Sequence, residues 1–81
     1  MILKDTVEGM LSVDYKERFK AEYNQLNIRL NGLKTMLDKW DNIKLEFTPT
    51  CSRETYTKQV KAMEDYLEIL KYRAEVENIE L

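Results

Sequence analysis

Along two long stretches of this chain, apolar residues return at alternating intervals of four and three, and this spacing constrains the fold more than any other feature. The first stretch runs Tyr15, Phe19, Leu26, Leu30, Leu33, Leu37 and Trp40, with Tyr23 beside them. The second runs Tyr56, Val60, Met63, Leu67, Leu70 and Ala74. Residues so spaced form one stripe of an α-helix, and a stripe of this kind needs a partner helix to leave water. Little interrupts either pattern. Pro49 is the only proline, and Gly9 and Gly32 are the only glycines, so the elements must be few and long.

The first long helix is expected over about residues 14–41, with Ser12 as its N-cap and Asp14 and Glu17 in the first turn, where the helix dipole favours acids. The second is expected over about 53–78, capped by Thr50 or Ser52, with Glu54 near its start. Residues 42–52 join them, and Leu45-Glu46-Phe47 in that segment alternates as extended backbone does, which would tuck Phe47 under the end of the hairpin. A short helix over about 2–10 precedes the hairpin, with Gly9 as its stop signal. The expected fold is therefore all-α and a single domain over 1–81: an antiparallel two-helix hairpin with a short N-terminal helix.

A chain of 81 residues buries a thin core, and such chains often gain stability from disulfides, metals or self-association. One cysteine, Cys51, allows no internal disulfide, and with no histidine there is no ordinary zinc site, so no metal or cofactor is expected. Cys51 itself reads as a partly buried loop thiol. Self-association remains, and both long helices carry surplus apolar surface that would support it. Ala62, Tyr66, Ile69 and Val76 form a second stripe on the later helix, with Arg73 among them, and Ala21, Ile28, Gly32 and Met36 form one on the earlier helix. The short N-terminal helix can cover one of these stripes but not both. A homo-oligomeric helical bundle is the expected assembly, a hexamer among the forms considered.

Thirteen basic and fifteen acidic residues leave a net charge of −2, which argues against a dedicated DNA or RNA binder. The charge is uneven: residues 14–39 hold six basic side chains against four acidic, and residues 64–81 hold six acidic against Lys71 and Arg73. A weak positive zone of this kind suits a small anion. No apolar run approaches the roughly 20 residues a membrane helix needs, and charges break up the first residues too early for a signal peptide. A lone thiol suits a reducing compartment, so a cytoplasmic protein is expected.

Nothing in the sequence marks an enzyme. There is no imidazole base and no glycine-rich phosphate loop, and the neighbouring acids Glu64 and Asp65 point about 100° apart on a helix, as solvated side chains do. Three groups of residues suit binding. The loop entering the second helix brings Thr50, Ser52 and Arg53 to a helix N-terminus, whose free N–H groups favour a phosphate; ordinary capping is the plainer reading. Tyr66 and Arg73, seven residues apart on one helix face, suit base stacking and a guanidinium fork, and Tyr56 offers a second ring; the plainer reading is that Tyr66 belongs to the core or an interface and that Arg73 pairs with Glu77. Arg18 and Arg29 flank the seam of the first long helix, where ion pairing with Glu22 is the plainer reading.

The run Leu11-Ser12-Val13-Asp14-Tyr15-Lys16-Glu17-Arg18-Phe19-Lys20-Ala21-Glu22-Tyr23-Asn24-Gln25-Leu26 resembles small proteins of bacteriophages and prophages. So do the loop Phe47-Thr48-Pro49-Thr50-Cys51 and the later positions Gln59, Met63, Tyr66, Leu70 and Arg73. In size and architecture the chain is similar to phage cyclic-nucleotide sponges of the anti-CBASS and Thoeris anti-defence types. That resemblance implies a compact oligomer in the cytoplasm of an infected bacterium that sequesters a cyclic oligonucleotide or related nucleotide immune signal without cleaving it. The alternatives are an inhibitor that binds a host defence protein, as anti-CRISPR proteins do, and a structural or assembly protein of the virion.

Overall fold

The stripes close on each other as the spacing requires. In the computed structural model, which spans residues 1–81, a 3-10 turn at Leu3–Thr6 runs into a short helix α1 (Val7–Met10), followed by the long helices α2 (Tyr15–Asp41) and α3 (Arg53–Glu77). Helices α2 and α3 pack against each other as a hairpin, and α1 lies against the start of α2. The molecule is 43 Å along its longest axis, about the length of the 27-residue α2 at 1.5 Å per residue.

Burial follows the seam. Phe19, Leu26, Leu70, Ala74 and Ile79 form the tightest cluster, with Tyr23, Met63 and Leu67 packed against it. Leu30 and Leu37 extend the buried line toward the loop. Ile79 lies beyond the periodic pattern and was not expected in the core. The backbone puts it there: Asn78 takes the left-handed conformation (φ 57°), and the Ile79 N–H then donates to the Ala74 carbonyl at 2.8 Å. This reversal caps α3 and folds Ile79 back onto Ala74, the apolar contact that accompanies such caps.

Helix α2 ends in the same way with a less suitable residue. The Lys44 N–H donates to the Lys39 carbonyl at 2.7 Å and the Ile43 N–H to that of Trp40 at 3.0 Å, which places Ile43 at the left-handed position (φ 57°). A β-branched side chain is strained there, and Ile43 recovers nothing by burial, being 95% exposed. Ile43→Gly is therefore expected to stabilise the protein by about 1 kcal/mol, the relief of strain less glycine's greater freedom in the unfolded chain. A raised urea midpoint with an unchanged slope would show it.

Four local expectations are corrected. Asp14, not Ser12, caps α2: its Oδ1 accepts the Lys16 N–H at 2.9 Å. Ser12 braces the turn instead, accepting the Asp14 N–H at 3.0 Å and donating to Glu17 at 2.6 Å. Gly9 does not stop its helix. It lies inside α1 without positive φ, and a Cβ there would meet the Ala21 Cβ at 3.0 Å, so it serves the close approach of α1 to α2. Phe47 does not tuck under the hairpin; it is 58% exposed, while the loop around it runs beside Gly32, Met36 and Lys39 of α2. Cys51 is exposed. At the head of α3, Ser52 is the cap, accepting the Thr55 N–H at 3.2 Å.

The surplus stripes are treated unequally. Helix α1 covers that of α2 at Ala21, which is buried. Nothing in the chain covers that of α3, where Tyr66, Ile69, Tyr72 and Val76 are all exposed. The loop beside Gly32 stays clear of it, and a Cβ there would meet nothing within 4 Å.

Candidate functional site

Seven of the eight candidate side chains fall into two groups at opposite ends of the hairpin. Thr50, Ser52, Arg53 and Tyr56 gather where α3 begins, and Arg18, Tyr66 and Arg73 gather where α2 begins and α3 approaches its end. Twenty residues of α3 separate Arg53 from Arg73, roughly 30 Å. One chain therefore cannot bring both arginines to one small ligand. Arg29 stands on the exposed middle of α2, with no side-chain partner.

At the loop end the polar groups satisfy one another. Arg53 grips Asp41 with a two-pronged pair, Nε to Oδ1 and Nη2 to Oδ2, each 3.0 Å, while its Nη1 donates to the Thr57 hydroxyl at 2.7 Å. The pair ties the first residue of α3 to the last of α2. A groove of about 410 Å³ opens there, lined by Leu37, Val60 and charged side chains that include Lys34, Lys61 and Glu64. Each of its cations has an acidic partner: Lys34 pairs with Glu64 at 3.2 Å, Arg53 with Asp41, and Lys61 with Asp65 at 2.6 Å. The same contacts place Glu64 and Asp65 with separate lysines rather than with each other. Tyr56 packs edge-on to Trp40, ring centres 6.0 Å apart.

The Arg53 fork holds the Asp41 carboxyl below its ordinary value, against a smaller opposing effect of desolvation. A carboxyl with a depressed folded value stabilises the fold fully above its unfolded value, here 3.8, and loses that contribution as pH falls through the folded value. Asp41→Asn should thus lower the urea midpoint slightly near neutral pH, and the difference from the parent should disappear as pH falls through the depressed folded value, below 3.8.

The other end is organised differently. Met10, Tyr15, Arg18, Phe19, Glu22 and Arg73 line a cleft of about 320 Å³. Arg73 lies over the Phe19 ring, 5.0 Å from its centre. Its Nη2 donates to the Tyr15 hydroxyl at 2.9 Å, Tyr15 donates to Glu77 at 2.8 Å, and Glu77 also meets the Arg73 Nε at 3.4 Å. The Arg73–Glu77 pairing foreseen from the sequence is thus present, with Tyr15 as a third member. The Tyr15 hydroxyl foremost, with Glu77 behind it, raises the Arg73 guanidinium above its ordinary value, outweighing partial desolvation. Its Nη1 has no partner in the chain.

Arg18 does not pair with Glu22, contrary to the expectation for both Arg18 and Arg29. Arg18 donates through Nη1 to the Ser12 carbonyl at 2.8 Å, and no acid neutralises it. Glu22 is taken instead by the Tyr66 hydroxyl, across the hairpin from α3. The cleft thus holds two guanidiniums and one carboxylate beside the exposed Tyr15 ring; the Phe19 ring, its centre 6.2 Å from that of Tyr15, is buried beneath Arg73 as the floor. Sequence reasoning missed Tyr15 as a site residue because its spacing marks it as core, as it rightly does Phe19. No group of His, Cys, Asp and Glu is placed to hold a metal ion, and no helix is long and apolar enough to cross a membrane.

The fold and this cleft define a small all-helical hairpin protein with an open surface cleft that brings two arginines beside a tyrosine ring. The Sequestin family model matches residues 13–76, which take in most of the hairpin and all of the cleft except Met10. The chain belongs to the Sequestin family. No curated protein and no solved structure matches it.

Proposed function

We propose that this chain is an accessory protein of a bacteriophage that binds and sequesters a cyclic oligonucleotide, or a related nucleotide signal of host immunity, in the cytoplasm of the infected cell. The observation that carries this reading is the cleft of Arg18, Arg73 and Tyr15 over the buried Phe19 ring. Two guanidiniums at one mouth suit the oxygens of a phosphodiester, and the exposed Tyr15 ring suits a base. Arg73 is already oriented by Tyr15 and Glu77, so little side-chain freedom is lost when it takes up a phosphate. The family name, Sequestin, accords with retention of a ligand.

The protein acts by holding its ligand and not by transforming it. The carboxylates nearest the cleft are engaged, Glu22 by Tyr66 and Glu77 by Tyr15 and Arg73, which leaves no free base beside a bound phosphate.

Native mass spectrometry of the purified protein, alone and then with a panel of cyclic di- and trinucleotides, tests the reading. The expected result is retention of unmodified nucleotide at integer stoichiometry. If every nucleotide in the panel, together with ADP-ribose-type signals, leaves the mass unchanged at tens of micromolar, the nucleotide reading is wrong. A second reading, an inhibitor that docks on a host defence protein, is favoured by the uncovered apolar face of α3. A stoichiometric host protein retained in pull-downs, and lost on Ile69→Asp, would support it.

A further inference from the structure

Arg18 has acids on every side and pairs with none of them. Asp14 stands four residues before it and Glu22 four after, a spacing at which a helix brings side chains together, and Glu17 adjoins it in sequence. Each of the three acids is occupied by a neutral donor. Asp14 accepts the Lys16 N–H at 2.9 Å, Glu17 accepts the Ser12 hydroxyl at 2.6 Å, and Glu22 accepts the Tyr66 hydroxyl. Arg18 turns to the Ser12 carbonyl instead, through Nη1 alone, and the rest of its fork is free.

Two of these contacts are made within the turn that opens α2 and follow from local capping. The third is not local. Tyr66 comes from α3, 44 residues away, and it does not line the cleft. Its ring is exposed and stands outside the core cluster. Its one polar contact is with the acid that helical spacing offers to Arg18. A phenol donates a hydrogen bond without bringing a positive charge. It therefore holds the carboxylate aside and leaves the arginine unmatched.

We propose that Tyr66 is a positioning residue for the cleft: its hydroxyl draws the Glu22 carboxylate toward α3 and so keeps the Arg18 guanidinium open to an anion. This rests on the reading of the cleft as a phosphate site. It gives Tyr66 a different part from the base stacking considered from the sequence, because the ring acts through Glu22 and Arg18 and not on the ligand. Without the hydroxyl, Glu22 returns along its own helix to Arg18. The ion pair that forms uses the same N–H groups a phosphate would take, so the two compete directly. Arg73 is outside this competition, since its partners are Tyr15 and Glu77.

Tyr66→Phe tests the proposal, because it removes the hydroxyl and keeps the ring. The first readout needs no ligand. Phenylglyoxal modifies free guanidiniums, and peptide mass spectrometry gives its rate at each arginine. Arg29, exposed and without a side-chain partner, serves as the internal standard. Relative to Arg29, Arg18 should react about two- to fivefold more slowly in Tyr66→Phe than in the parent, the range a surface ion pair supports. It should return to at least the parent rate in Tyr66→Phe/Glu22→Gln, and Arg73 should be unchanged in both. The second readout is protection of Arg18 by inorganic pyrophosphate. The concentration that halves its rate should rise by the same factor in Tyr66→Phe and fall again in the double variant. If Tyr66 only tied the helices together, the loss would persist in the double variant. An unchanged Arg18 rate in Tyr66→Phe overturns the proposal. So does a slowing that Glu22→Gln does not relieve, or a slowing that leaves pyrophosphate protection as in the parent. A parent chain that pyrophosphate does not protect instead overturns the phosphate reading of the cleft. The ligand-free rates tell that failure from the others.

Discussion

Leu70→Ala is expected to destabilise the protein by about 2–5 kcal/mol, a large share of the stability a domain of this size possesses. Leu70 is wholly buried, and its side chain joins the two halves of the core. Phe19 and Leu26 approach from α2, Ala74 lies one turn on in α3, and Ile79 folds back from beyond the cap. Removing it leaves a cavity between helices that are held apart by their other side chains, so lost packing adds to lost burial. A thin core has no second layer to collapse into that space. Thermal unfolding followed by circular dichroism would report the loss as a much lower midpoint. Leu11→Ala, at a position 79% exposed, should leave the midpoint nearly unchanged. If the two variants proved equally stable, the assignment of the core would fail.

The second large effect concerns the cleft. Arg18→Gln and Arg73→Gln should each weaken nucleotide retention by about 10- to 100-fold, the range for a charge-assisted hydrogen bond to phosphate. The double variant should abolish retention at micromolar protein. Glutamine keeps much of the side chain's length, and both residues lie at the surface, so the fold should survive. Arg73 also covers Phe19, so its variant should lose a little stability as well, whereas Arg18→Gln should not. Glu22→Gln is expected to act in the opposite sense. It removes the one carboxylate in the cleft while keeping an acceptor for Tyr66, so affinity should rise severalfold. Isothermal titration calorimetry with whichever nucleotide the parent retains would measure all three. The pattern of two losses and one gain is what an anion site requires. Equal losses in all three would indicate a merely structural role for the cluster.

Arg53→Gln offers a useful contrast. Its guanidinium is occupied by Asp41 and Thr57, so its removal should affect stability at the loop end and leave nucleotide retention unchanged. Before the structure, Arg53 and Arg73 were equal candidates. What separates them is the neighbour across the hairpin. Asp41 meets Arg53 squarely, whereas Arg73 meets a tyrosine hydroxyl and one shared carboxylate, and Arg18 beside it meets only a backbone carbonyl.

Much of the fold was legible because helix formation and stripe burial are governed by neighbours three and four residues apart. The seam from Phe19 to Leu37 and from Tyr56 to Ala74, the cap at Ser52, and the two-helix hairpin all follow from such local rules. Where a choice lay between adjacent residues, local rules did not suffice. Ser12 and Asp14 are both good caps, and the turn that α1 imposes through Gly9 and Ala21 gives the role to Asp14. Ile79 is invisible to periodicity because it enters the core through a left-handed residue, after the helix has ended.

The sequence by itself determined the elements, the hairpin and which stripes lie in its seam, because each depends on contacts within a few residues or on a long repeated pattern. The tertiary structure alone decided which charges remain unneutralised. The pairing of a side chain depends on what the opposite helix places within 4 Å, and no spacing rule spans the 44 residues between Glu22 and Tyr66 or the 58 between Tyr15 and Arg73. The candidate site is a product of those long-range meetings: Tyr66 takes the acid that Arg18 was expected to hold, and Arg18 is left facing the cleft with its charge unpaired.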